Sequence, residues 1–255
     1  MTHTEVSDRL PKHEIFSTSR KAFSTVSIMI AFALLILNSV RLGNTCDLGF
    51  LLAGSIVVTG MVTADLLSGI VHWGADTWGR TSMPLLGRRL LHPFRVHHVN
   101  PEDFLARCFI DTNGDTAFVV IPVLLTAWCI PLTSATQQGL SLFLTALCSV
   151  GLMANQLHQW SHTQNPPKPI AILHKLHLIL TPKAHKRHHI HPHQSNYCIA
   201  LGWCNPFLER IKFFPRMECL VERMTGCQPR QDEGEYHSRN HELTSPLSRN
   251  RSVSN

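Results

Sequence analysis

The stretch His185-Lys186-Arg187-His188-His189 sets three imidazoles at i, i+3 and i+4, positions that a helix brings to one face. Neutral imidazole is a common protein ligand for iron, zinc and copper, so the spacing points to a transition-metal site. Three further clusters share this character. His158 and His162 lie at i, i+4 at the end of an apolar run, and Asn155, one turn earlier on the same face, is placed to support them by hydrogen bonding. His97 and His98 are adjacent; on a helix they point ~100° apart and can reach two different metals. Asp65, His72 and Asp76 follow one another at spacings of 7 and 4, a single helical stripe. A carboxylate inside a membrane span is costly, which makes Asp65 a candidate for function. His177 and His193 flank the first stretch and are additional candidates. His92, before a proline, reads as structural, His174 and His191 as surface imidazoles, and His3, His13, His237 and His241 as incidental.

The strongest members are His72, His97, His98, His158, His162, His185, His188 and His189. Tetrahedral zinc takes four ligands, so eight exceed one zinc site and suit two metals. The glutamate of His-Glu-x-x-His is absent, which removes the zincin hydrolases. No Glu-x-x-His pair of the ferritin-like carboxylate type is present either. The eight cysteines form no Cys-x-x-Cys, which disfavours a zinc ribbon or a redox motif; they are expected to be reduced thiols. What remains is an oxygen-activating di-iron centre in a histidine cage.

Four long apolar runs must position these clusters: Ala22 to Val40, Leu48 to Val71, Thr116 to Leu132 and Gly139 to Leu157. About 20 apolar residues cross a bilayer. Charged residues make up 16% of the chain, well under the ~25% of soluble domains. The expected fold is therefore an all-α integral membrane protein with about four transmembrane helices and a histidine-rich di-metal site on the cytosolic side. Residues 1–21 read as a cytosolic tail, 22–227 as the membrane domain and 228–255 as a disordered tail. The net charge of +6 is not gathered into one run, so nucleic acid is not indicated. Four spans put both termini and the 72–115 loop on one side, which carries nearly all of the Lys and Arg, against Arg41 alone opposite. The positive-inside rule makes that side cytosolic, and every histidine cluster falls on it. Asp111-Thr112-Asn113-Gly114-Asp115 reads as a turn and N-cap before the third span. Ile170 to Leu180 is too short to span and reads as a re-entrant or interfacial helix.

These clusters, set between spans, resemble the membrane fatty-acid desaturase and hydroxylase group. More narrowly, Gly69-Ile70-Val71-His72-Trp73-Gly74-Ala75-Asp76-Thr77-Trp78 is similar to the Kua-type lipid desaturases, the plasmanylethanolamine desaturase family. So are Pro93-Phe94-Arg95-x-His97-His98, Thr112-Asn113-Gly114-Asp115, Asn155-Gln156-x-His158-x-Trp160-Ser161-His162 and Cys198-Ile199-x-x-Gly202-Trp203-x-Asn205. The resemblance implies an iron- and O2-dependent enzyme of the endoplasmic reticulum membrane. It would form the vinyl ether of a plasmalogen from a 1-O-alkyl ethanolamine phospholipid, with electrons from cytochrome b5 and its reductase. The eight histidines fall on the family's ligand positions, and Asp76 and His177 on further family positions. Pro182-Lys183-Ala184-His185 departs from the pattern by lacking one histidine of a doublet. A related plant branch acts on an acyl chain, so an acyl-chain desaturase or hydroxylase is the alternative. A membrane metal transporter is disfavoured, since it would carry ligands inside its spans.

Overall fold

The structure, a computed structural model, describes residues 12, 14–191 and 193–230. Most of both tails, with His3, His13, His237 and His241, lies outside the described residues, as does Pro192. The described residues form helices and connecting segments, with no strand among them. In chain order the helices are α1 (Thr18–Thr45), α2 (Phe50–Thr77), α3 (His92–Val99), α4 (Pro101–Leu105), α5 (Phe109–Cys129), α6 (Ala135–His162), α7 (Lys168–Lys175), α8 (Pro182–His188), α9 (Asn205–Arg210) and α10 (Phe213–Thr225). A π-helical turn, Gly87–Leu91, leads into α3.

Four helices, α1, α2, α5 and α6, are long and apolar enough to cross a membrane. α1 and α6 extend past their apolar runs at both ends, α2 runs on past Val71 to Thr77, and α5 starts early at Phe109 and stops at Cys129, short of Leu132; hydropathy does not set these ends. Ser17 caps α1 by accepting from the Arg20 amide, and Ser134 and Gln137 form a capping box on α6. The third span shows the largest shift. The Asp111–Asp115 stretch is not a turn before the helix but its opening turns, since α5 begins at Phe109. Asn113 and Gly114 are buried there, and α1 packs so close to Gly114 that a Cβ would lie 2.9 Å from the Ser24 Cα.

The bundle packs through small and weakly polar residues, as expected where lipid removes the hydrophobic drive between helices. Ser24, Ser27, Ala31, Asn38 and Leu42 form the buried stripe of α1, with Asn38 donating to the Leu124 carbonyl of α5 at 3.1 Å. Gly60 of α2 meets α6 closely enough that a Cβ would lie 2.7 Å from the Phe143 carbonyl oxygen. Outward-facing Met29, Ile36, Val58, Phe118 and Val119 are exposed, as lipid-facing side chains are.

The short elements gather at the end of the bundle where α2 and α6 finish. Ile170 of α7 and Ile179 beyond it join Ala64, Val150, Leu157, Ala200 and Leu201 in one apolar cluster. The 170–180 stretch is thus helical only as far as Lys175, and its non-helical remainder docks on the bundle with it. His174 within it is buried, not on the surface as its sequence context suggests, whereas His191 is exposed. Residues 196–204 lie against the end of α2, where Trp73, Tyr197, Cys198, Leu208 and Phe214 pack together.

Candidate metal centre

Eight histidines from four helices, α2, α3, α6 and α8 with its C-terminal end, converge at this end of the bundle. They form two adjoining groups whose nitrogen or oxygen atoms lie within 4.8 Å of one another in each. One holds His97, His158, His162, His185 and His189; the other holds His72, Asp76, His98 and His188. Helical spacing explains the division. Pairs at i, i+4 stay together: His158 with His162 on α6, His72 with Asp76 on α2, and His185 with His189 at the end of α8. Adjacent pairs are split between groups, His97 from His98 and His188 from His189, as the ~100° step per residue requires.

The groups are held from behind by backbone carbonyls. His97 donates from Nδ1 to the Phe94 carbonyl at 2.6 Å, His188 to Ser195 at 2.8 Å and His72 to Tyr197 at 3.2 Å. A proton fixed on Nδ1 leaves the Nε2 lone pair facing inward. His98 is backed by His193, whose Nδ1 lies 3.1 Å from that of His98 and 3.1 Å from the His188 carbonyl.

The interior has too many acceptors for its protons. His185 Nε2 lies 2.9 Å from His158 Nε2, 2.7 Å from His162 Nε2 and 3.0 Å from His189 Nε2. A neutral imidazole has one N–H, so one proton cannot satisfy three such contacts. His97 Nε2 and Asp76 Oδ1 are buried with no hydrogen-bond partner. Asp76 Oδ2 lies 3.1 Å from Nε2 of both His72 and His98 and 3.6 Å from that of His188. Protonation does not relieve the crowding. Burial, and then the neighbouring imidazoles, push His97, His185 and His188 well below the ordinary histidine range and His189 down to about 2. Converging lone pairs on neutral, buried imidazoles are what a cation satisfies, so the donor set fits a metal in each group.

The remaining candidates lie outside the two groups. Asp65 is buried in α2 and accepts from the amides of Leu201 and Gly202, both at 2.8 Å, and of Cys204 at 3.0 Å. It anchors the segment that carries Tyr197. Asn155 donates to the Thr112 carbonyl at 2.7 Å and to Thr116 Oγ1 at 3.0 Å, which ties α6 to α5. The His177 ring is exposed, and its carbonyl accepts from Trp203 Nε1 at 2.8 Å. The carbonyls of Phe94, Ser195 and Tyr197 carry no signal in residue type, and nothing in the sequence marks them out.

Residues 61–232 match the lipid desaturase domain. This chain belongs to the lipid desaturase family. It is 38% identical to the plasmanylethanolamine desaturase of Myxococcus xanthus over 86% of this chain and 78% of that one. Plasmanylethanolamine desaturase 1 of Mus musculus is 41% identical over 69% of this chain and 68% of its own length. The chloroplastic fatty acid desaturase 4 of Arabidopsis thaliana is 30% identical over 67% of this chain and 52% of its own. No solved structure matches. Among lipid desaturases this chain is thus a multi-pass, all-helical member whose histidine groups sit at one end of its four membrane-capable helices.

Proposed function

We propose that this lipid desaturase is a plasmanylethanolamine desaturase, forming the vinyl ether of a plasmalogen from a 1-O-alkyl ethanolamine phospholipid. The observation that carries the reading is the convergence of eight imidazoles and Asp76 in two adjoining groups at the membrane end of α2 and α6. Relatives bearing that name stand at 38% and 41% identity, against 30% for the plant fatty acid desaturase. Two iron ions are the proposed cofactors, one per group. Bound there, iron with O2 supplies the oxidant that an unactivated alkyl chain demands. The protein holds the imidazoles neutral and aimed, while Asp76 supplies the one negative charge of the ligand set. Phe94 and Phe104, whose rings lie 4.8 Å from His72 and 5.0 Å from His158, set apolar surface against the centre.

Balance requires an outside donor. O2 becomes two waters by taking four electrons; two leave the lipid with its two hydrogens, and two come from a reductant with two protons. The chain contains no His-Pro-Gly-Gly haem motif, and cytochrome b5 with its reductase is the proposed source. α8 offers a docking face: Lys183, Lys186 and Arg187 are exposed while His185 and His188 between them are buried, which suits an acidic partner. The proposed site of action is the endoplasmic reticulum, with both termini and the metal centre cytosolic.

The test is to incubate membranes containing the protein with a 1-O-alkyl ethanolamine phospholipid, NADH and O2. Vinyl ether is the expected product. Its absence, with a new double bond in an acyl chain instead, would move the assignment to the acyl-chain alternative. Purified protein is expected to carry about two irons per chain, and zinc without iron would contradict the redox reading.

A further inference from the structure

A cavity of about 820 Å3 opens beside the metal centre, within the range of small-molecule sites. Its two ends differ in chemistry. At the end of the bundle it is lined by Arg20, Arg88, Arg89 and Arg107 together with Glu14, Asp111 and Asp115. From there it runs down between α5 and α6 to Val123, Leu147 and Cys148. Cys148 lies ten residues and Leu147 eleven from His158, so the shaft descends ~15–16 Å at 1.5 Å per residue. His97 and His158 line the polar half, not the floor.

The polar end is not closed on itself. Arg20 and Arg89 both pair with Asp115, and Arg88 with Glu14 at 2.8 Å. Arg107 donates to the Glu14 carbonyl at 3.2 Å. Two buried atoms there lack any partner: Arg20 Nε and Asp111 Oδ1. One is a cationic donor and the other an anionic acceptor. The Arg20 guanidinium is ion-paired with Asp115 through another nitrogen, so what stays open is one donor position and one acceptor position, the complement of a ligand carrying both signs.

We propose that this cavity is the lipid site. Arg20 takes the phosphate and Asp111 the ammonium of a zwitterionic headgroup, and the shaft past Gly151 takes the chain that is oxidised. The inference rests on the ether-lipid reading above and deepens it: imidazoles at the headgroup end of the shaft can reach only the first carbons of the chain, those next to the glycerol oxygen. Gly151 lines the shaft seven residues below His158, ~10 Å down. A Cβ there would meet only Val120, at 3.8 Å, so a longer side chain extends into the shaft.

The experiment is native mass spectrometry of the purified full chain titrated with 1-O-alkyl phosphoethanolamine and phosphocholine lipids bearing octyl or dodecyl chains. Gly151→Met is expected to retain the octyl lipid and lose the dodecyl one by ~10-fold or more, with Gly151→Ala close to wild type. Retention of the octyl lipid reports that the variant is folded. Asp111→Asn is expected to lose ~10-fold of its affinity for phosphoethanolamine and to keep its affinity for phosphocholine, whose methylated nitrogen has no N–H to donate. Equal retention of both chain lengths by Gly151→Met, or an unchanged headgroup preference in Asp111→Asn, overturns the proposal. Vinyl-ether formation is scored separately on wild-type protein. Failure there alone refutes the ether-lipid reaction and leaves the binding result to stand or fall by itself.

Discussion

At the scale of single residues, the distinction that matters is between imidazoles facing inward and side chains that aim them. His188 and His162 are inward members of different groups. His188→Ala or His162→Ala is therefore expected to abolish turnover and lower bound iron while the protein still inserts in membranes; near-wild-type turnover in either would break the ligand assignment. His193 stands behind His98, so His193→Ala is expected to cost a smaller ~10–100-fold in metal affinity or turnover. Metal titration separates this from a folding defect, because excess iron should restore the variant but not His188→Ala. The inward set could be read from the sequence because helical spacing alone sorts i, i+4 partners from adjacent ones. Of the aiming set only His193 stood out, as an additional candidate beside the first stretch. Phe94, Ser195 and Tyr197 act through backbone carbonyls that any residue possesses.

At the scale of elements, α2 does more than carry His72 and Asp76. Its buried Asp65 grips three amides of the 201–204 segment. Gly69, one turn on, lets Cys198 approach until a Cβ would lie 3.2 Å from the Cys198 amide nitrogen. The same segment delivers the Tyr197 carbonyl to His72. A carboxylate in an apolar run looks like a ligand from sequence, because its true partners lie 136 to 139 residues away. Asp65→Ala leaves three donors short of an acceptor and is expected to destabilise the protein by about 3 kcal/mol. A drop of several degrees in melting temperature measured in detergent would show it. Were the unfolding temperature unchanged but iron lost, Asp65 would belong to the metal centre instead. The spans themselves were legible by hydropathy, but their ends were not. Ser17, Ser134 and the opening turns of α5 are set by caps and by close packing on Ser24, which hydropathy does not register.

At the scale of the whole molecule, orientation links the reaction to its reductant. The histidine groups, α8 and α10 lie at one end of the bundle, and the 130–134 turn joins α5 to α6 at the other. Arg41 is the basic residue of that far end and is held by the carbonyls of Trp128 and Ile130, the latter at 2.5 Å. By the positive-inside rule, this asymmetry of Lys and Arg supports the proposal that the histidine end faces the cytosol. The cysteines offer a direct check. Cys227, just past α10, is exposed, and Thr133 is an exposed position in the far turn. In sealed vesicles with the cytosolic face outward, a membrane-impermeant maleimide is expected to label a variant retaining only Cys227 without permeabilisation. A cysteine-free variant carrying Thr133→Cys should react only after detergent is added. The reverse pattern would put the proposed iron centre and the exposed Lys186 and Arg187 on the side away from cytosolic reductants. Cytochrome b5 would then be excluded as the donor, even if every histidine proved to be a ligand.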